Sequence, residues 1–131
     1  MDMNCLYLSK CIEYFDSCHV YYFNYENYNF FNETEVKKAL QENVFYSNDF
    51  VQIPQTKPLE VKKKYLESLN DRTLLARFLR MDGETFVREF HNHFEEDRPL
   101  RLSHYAEFRR QYLIEFGAKW CDKLGIKYSK K

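Results

Sequence analysis

The chain has 131 residues, formal net charge zero and an aromatic content of 18%, with 12 Phe and 11 Tyr. That length suits one domain with a substantial core, and the charge balance singles out neither nucleic acid nor membrane as a partner. No apolar run approaches the roughly 18 residues a membrane helix needs. No basic segment leads into an apolar one at the N-terminus, so the sequence predicts a cytoplasmic protein without a secretory signal.

In residues 3–17, Leu6, Leu8, Ile12 and Phe15 sit among polar residues and predict a short helix from Leu8 to Phe15, with Ser9 as N-cap and Ile12 inward. Residues 19–32, HVYYFNYENYNFFN, are rich in β-formers and interrupted by Glu26–Asn27. They predict a β-hairpin with strands near 19–24 and 28–31. Aromatic residues fall on both faces of its first strand: Tyr21, Phe23 and Tyr25 on one, Tyr22 with Val20 on the other. One face can line a core. The other is a candidate binding surface.

Glu33–Glu42 reads as an amphipathic helix with Val36, Ala39 and Leu40 inward. Asn32 and Glu35 have capping-box spacing, and Asn43 ends the helix. Two short strands, Val44–Tyr46 and Phe50–Ile53, are predicted around Ser47–Asn48–Asp49, with Pro54 stopping the second. Beyond Pro58 the pattern turns helical. One helix carries Leu59, Val61, Tyr65, Leu66 and Leu69, a second spans Thr73–Arg80, and a third runs from Glu84 to Glu95 after a break at Asp82–Gly83. The acids at 95–97 oppose the dipole at that helix's C-terminus and call for a basic neighbour such as Arg98 or Arg101.

The best-defined segment is Ser103–Gly125. Ser103 reads as N-cap, Pro99 as a terminator of the preceding segment, and Gly125 as the left-handed residue past the end. Tyr105, Phe108, Tyr112, Phe116, Trp120 and Leu124 recur every three or four residues and form one stripe, widened by Leu113 and Cys121. The residues after it, 126–131, read as a frayed basic tail.

Three stretches carry a family resemblance: FVQIPQTKPLEVKKKYLESL, DGETFVREF with Gly83, Phe86 and Phe90, and HYAEFRRQYLIEFGAKWCDKLGI. Together they resemble a family of small bacterial proteins catalogued as an uncharacterised protein family, over residues 44–126. This chain has Tyr105 where that family's pattern calls for Trp. The resemblance implies a small α+β domain and supplies no active-site residues.

Signatures of chemistry are sparse. His91 and His93 are two apart, which on a helix points them about 200° apart, unfit for one metal. Cys5, Cys11, Cys18 and Cys121 lack the close spacing of zinc ligands and read as reduced thiols. With three glycines, at 83, 117 and 125, no phosphate loop or nucleophile elbow can be placed. The expectation is a protein that is not an enzyme, with no cofactor and no metal.

The fold expected is a single α+β domain over residues 1–131, with a small antiparallel sheet from residues 1–56 packed against helices from 57–126, followed by the basic tail 127–131. Residues 1–56 carry 3 Lys/Arg against 8 Asp/Glu, a net of −5, and residues 57–131 carry 17 against 12, a net of +5. The first half is therefore the predicted docking surface for another protein, through Tyr21, Tyr22, Tyr25 and Tyr28 with Glu26 and Asp16 as rim charges. The Asn/Tyr/Phe/Lys bias fits an AT-rich bacterial or phage genome and an inhibitor or immunity-type protein acting by docking. The alternative is nucleic-acid binding through Lys62, Lys63, Lys64, Arg109 and Arg110.

Overall fold

A computed structural model describes residues 5–95 and 99–131, with the side chains of 99–103 left aside. The fold is α+β: a three-stranded antiparallel sheet in the N-terminal half and a helical C-terminal half. The chain divides into two compact units, one made of the described residues up to Gln55 together with Ile114–Lys131, the other of Thr56–Leu113.

The first unit opens with β1 (Leu6–Tyr7), which pairs in parallel with β5 (Tyr128–Ser129), Leu6 facing Tyr128. Within the predicted basic tail, Tyr128–Ser129 is thus a strand. Its side chains are also engaged: the Tyr128 hydroxyl donates to Asp122 at 3.0 Å, and Lys130 meets Glu115 at 2.8 Å. The predicted helix at 8–15 is split. Leu8–Lys10 is a 3₁₀ turn, followed by the single helical turn α1 (Ile12–Phe15), and neither takes a side-chain cap. Ser9 lies inside the 3₁₀ turn and does not cap.

The hairpin forms as expected, from β2 (Tyr21–Asn24) and β3 (Phe30–Asn32), with Tyr22 opposite Phe31 and Phe23 opposite Phe30. Its loop is organised by Asn24, which is fully buried. The Asn24 Oδ1 accepts the N–H of Glu26 at 2.8 Å and of Asn27 at 3.0 Å, an Asx turn. Asn32 ends β3 and caps α2 (Glu33–Gln41), where both arms of the capping box are made, at 2.8 and 3.0 Å. Asn43 then takes φ +56, and the Val44 N–H closes onto the Ala39 carbonyl.

That closure explains why no strand forms at 44–46. The Val44 N–H is spent on the helix end, and the Tyr46 N–H donates to the Asp49 carboxylate at 2.8 Å. A 3₁₀ turn, Ser47–Asp49, leads into β4 (Phe50–Gln52), which pairs with β2, so the sheet order is β3-β2-β4.

The second unit is helical. α3 (Pro58–Ser68) begins with proline in its first turn. α4 (Arg72–Leu79) is capped by Asp71 and α5 (Gly83–Phe90) by Asp82. The predicted helix to Glu95 does continue, but as a π-helical turn, His91–Glu95. α6 (Pro99–Leu124) starts four residues earlier than expected. Pro99 is its first residue, because the φ that bars proline from a helix interior suits the first turn, and Ser103 lies within it. Its far end is as expected: Gly125 takes φ +72, and the Ile126 N–H bonds the Cys121 carbonyl at 2.9 Å.

The core of this unit is aromatic. Tyr65, Phe78, Phe86, Phe90, Phe94 and Tyr105 are buried in one cluster, with ring centroids such as Phe90–Tyr105 4.8 Å apart. Residues of α6 from Ile114 onward belong to the first unit, where the buried positions are Ile114, Gly117, Ala118, Trp120 and Cys121. The predicted stripe is therefore rotated. Phe116 is half-buried and Leu124 exposed, while small residues hold the centre. Gly117 explains this, since a Cβ there would lie 2.7 Å from the Phe15 ring.

The charge contrast between the halves shrinks in the folded chain. Counted by sequence range, residues 1–55 with 114–131 carry 8 Lys/Arg against 10 Asp/Glu, and residues 56–113 carry 12 against 10.

Candidate functional site

Alternation along β2 gives the sheet two aromatic faces. The first is centred on Phe23, which is fully buried. Its ring meets Trp120 at 5.7 Å, Tyr28 at 5.0 Å and Tyr25 at 5.5 Å, edge-on in each case. Tyr21 stands on the same face, edge-on to Tyr14 at 4.8 Å. Tyr28 is half-buried, and its hydroxyl accepts the Lys127 N–H at 3.2 Å. Three of the four predicted docking tyrosines thus stand on the side of Phe23: Tyr25 and Tyr28 against its ring, and Tyr21 against Tyr14. Of the three only Tyr25 is exposed, at 37%.

The second face carries Tyr22, Phe31 and Phe50, placed together by register, because Tyr22 opposes Phe31 and Asn24 opposes Phe50. Phe45 completes a triangle of rings: Phe31–Phe50 at 5.1 Å, Phe31–Phe45 at 5.9 Å and Phe45–Phe50 at 5.9 Å. All three phenylalanines and Tyr22 are half-buried. Beside Phe45 in the chain stand Tyr46, 69% exposed, and Val44, 59% exposed. An apolar cluster left half-open and flanked by well-exposed apolar residues has the composition of an interface. The flanking acids are Glu42, exposed at the end of α2, and Asp49, whose carboxylate accepts the Tyr46 N–H. Tyr22 is the one predicted docking residue on this face. Phe31, Phe45, Phe50, Val44 and Tyr46 were missed, and the signal available was the aromatic density of 44–50. The predicted rim charges separate: Glu26 is exposed in the hairpin loop, while Asp16 is half-buried just past α1.

The predicted basic set is not one free surface. Lys62 meets Glu95 at 3.5 Å and sits 5.5 Å over the Phe90 ring. It is the cation that the acid at the end of the π turn calls for. Arg98 lies outside the described residues, as does the Arg101 side chain. Lys64 pairs with Glu67 at 3.6 Å. Lys63, Arg109 and Arg110 are half-buried. A different basic surface stands free on α4, where Arg72, Arg77 and Arg80 are exposed and, with Thr73 and Ala76, line one shallow depression of about 460 Å³.

Each histidine of the 91–93 pair faces its own carboxylate, His91 with Glu95 at 3.7 Å and His93 with Glu89 at 3.9 Å. Among the described residues, no group of three or more His, Cys, Asp or Glu is placed to hold a metal ion. Cys18 is exposed, while Cys11 and Cys121 are buried. Burial pushes the Cys11 thiol up to about 11 and the Cys121 thiol to about 12, the latter helped by Cys11 and Asp122. Thiols held neutral in this way are poor nucleophiles. No helix among the described residues is long and apolar enough to cross a membrane.

Comparisons with protein-family models, with curated proteins and with solved structures found no match.

Proposed function

We propose that the protein is a non-enzymatic binding module that docks another protein through the second face of its sheet. The observation that carries this is the half-open ring triangle Phe31–Phe45–Phe50 beside exposed Val44 and Tyr46. Aromatic anchors of this kind hold most of the energy of a protein interface, with charged residues excluded from the centre. The stretch 33–49 has four acids against Lys37 and Lys38, so the partner's matching surface is apolar at its centre with a Lys/Arg rim. An inhibitor or immunity-type action is one form such docking takes.

The test is capture from the source cell with full-length wild type and with V44E/Y46K, each with and without nuclease. The expected result is a protein that survives nuclease on the wild type and is lost from the variant while the far-UV spectrum is unchanged. Equal capture by both proteins overturns the assignment, and loss of the captured protein on nuclease treatment moves it to nucleic acid.

A further inference from the structure

We propose that α4 binds the phosphate backbone of duplex nucleic acid through Arg72, Arg77 and Arg80. The inference shares no residue with the docking face and stands independently of it.

At about 100° per residue, Arg72, Ala76, Arg80, Thr73 and Arg77 fall in that order across an arc of about 140°. Leu74, Leu75, Phe78 and Leu79 occupy the rest of the circumference. Phe78 is fully buried and Leu74 and Leu75 pack against the same core, so the arginine arc faces outward, with Leu79 exposed at its edge beside Arg72. Residues 72–80 contain no acid. Among the described residues none of the three guanidinium groups has an ion pair, whereas Lys62 and Lys64 are both matched. The flanking carboxylates of Asp71 and Asp82 are engaged, each accepting a backbone N–H from the helix it caps.

The chemistry of the arc selects the ligand. Guanidinium groups present a planar fork that fits phosphate oxygens. Thr73 adds a hydroxyl, and Ala76 between the arginines leaves room for a backbone to approach. Arg72 to Arg80 spans about 12 Å of helix, against one phosphate per about 3.4 Å of duplex axis on each strand, so the arc can meet more than one phosphate. A single strand needs exposed aromatic rings to stack its bases, and the only ring in α4, Phe78, is buried. An acidic protein partner needs a cluster of aromatic or aliphatic anchors, and of the large apolar side chains of α4 only Leu79 is exposed. Recognition is therefore of the duplex backbone, without sequence preference.

The test is a salt titration of full-length protein with a fluorescent 20-base-pair DNA duplex in two unrelated sequences. Three phosphate contacts give a slope of log K against log salt of about −2.7, a loss of about 40-fold between 50 and 200 mM. Each single Arg→Gln change at 72, 77 or 80 is expected to lower the slope by about 0.9 on both sequences. R72Q/R77Q/R80Q is expected to abolish binding, and K130Q to leave it unchanged. Binding equal to wild type in the triple variant, no duplex binding at 50 mM salt, or tighter binding to a single strand, to vesicles with anionic lipid or to polyglutamate would each overturn the proposal. Should the triple variant not fold, the slopes of the single variants decide.

Discussion

The two units use aromatic residues in opposite ways. In the helical unit the rings of Tyr65, Phe78, Phe86, Phe90, Phe94 and Tyr105 close into one buried cluster. In the sheet-containing unit they split between a closed face at Phe23 and Trp120 and a half-open face at Phe31, Phe45 and Phe50. A helix has one apolar stripe to bury, so several helices can converge on a single centre. A strand places alternate residues on opposite faces, and a three-stranded sheet whose alternate positions are both aromatic needs a cover on each side. Trp120 and Phe15 supply one. The rings of the other face are half-buried beside exposed Val44 and Tyr46, and it is there that a partner has something to gain.

The two units differ most at their ring centres. Phe90→Ala is expected to cost about 3–5 kcal/mol, as for a fully buried Phe, whereas Phe45→Ala should cost less than about 1.5 kcal/mol. Urea unfolding of the full chain measures both, and equal losses would mean that the second face is as closed as the helical core. Next in size is Gly117→Ala. The added methyl would meet the Phe15 ring at 2.7 Å and Leu8 at 3.2 Å, and overpacking of that kind costs about 1–3 kcal/mol. A variant as stable as wild type would show that Phe15 can turn aside.

A smaller effect follows from the thiols. The unfolded Cys ionises near 8.5, while Cys11 and Cys121 are raised to about 11 and about 12 by burial. Folding therefore favours the protonated form. The stability tied to these thiols is complete below about pH 8.5 and is lost as pH rises toward the folded values. The urea midpoint should fall between pH 8 and pH 10.5, and less so in C11A/C121A. In the same range Cys18, which is exposed, should alkylate in the native protein while Cys11 and Cys121 wait for denaturation.

Much of this fold was legible in local chemistry. Asn32 and Glu35 marked a helix start, Pro58 another, Gly125 an end, and the β-formers of 19–32 a hairpin. What escaped were features set by distant partners or by shared signals. The β1–β5 pairing joins two-residue strands from opposite ends of the sequence, too short to carry a period. Pro99 has the same φ lock whether it stops a helix or starts one. Val44–Tyr46 has strand-forming side chains, yet its N–H groups are taken by Ala39 and Asp49. For the site, the tyrosines of β2 were visible but their allegiance was not. The Phe23 face is core because Trp120 reaches it, and the triangle on the other face exists only once register brings Phe31 and Phe50 together. The arginines of α4 were visible one by one. The absence of acids from 72–80 is plain in the sequence, while the lack of an ion pair to any of the three among the described residues is set by the fold.

The most direct measurement places a photo-activated cross-linker at position 46, on the proposed docking face, and in a separate protein at position 107, an exposed residue of α6 in the other unit. The prediction is a nuclease-resistant protein adduct from position 46 and none from position 107. The same adduct from both positions, or from 107 alone, would contradict the assignment of the open aromatic face as the binding surface.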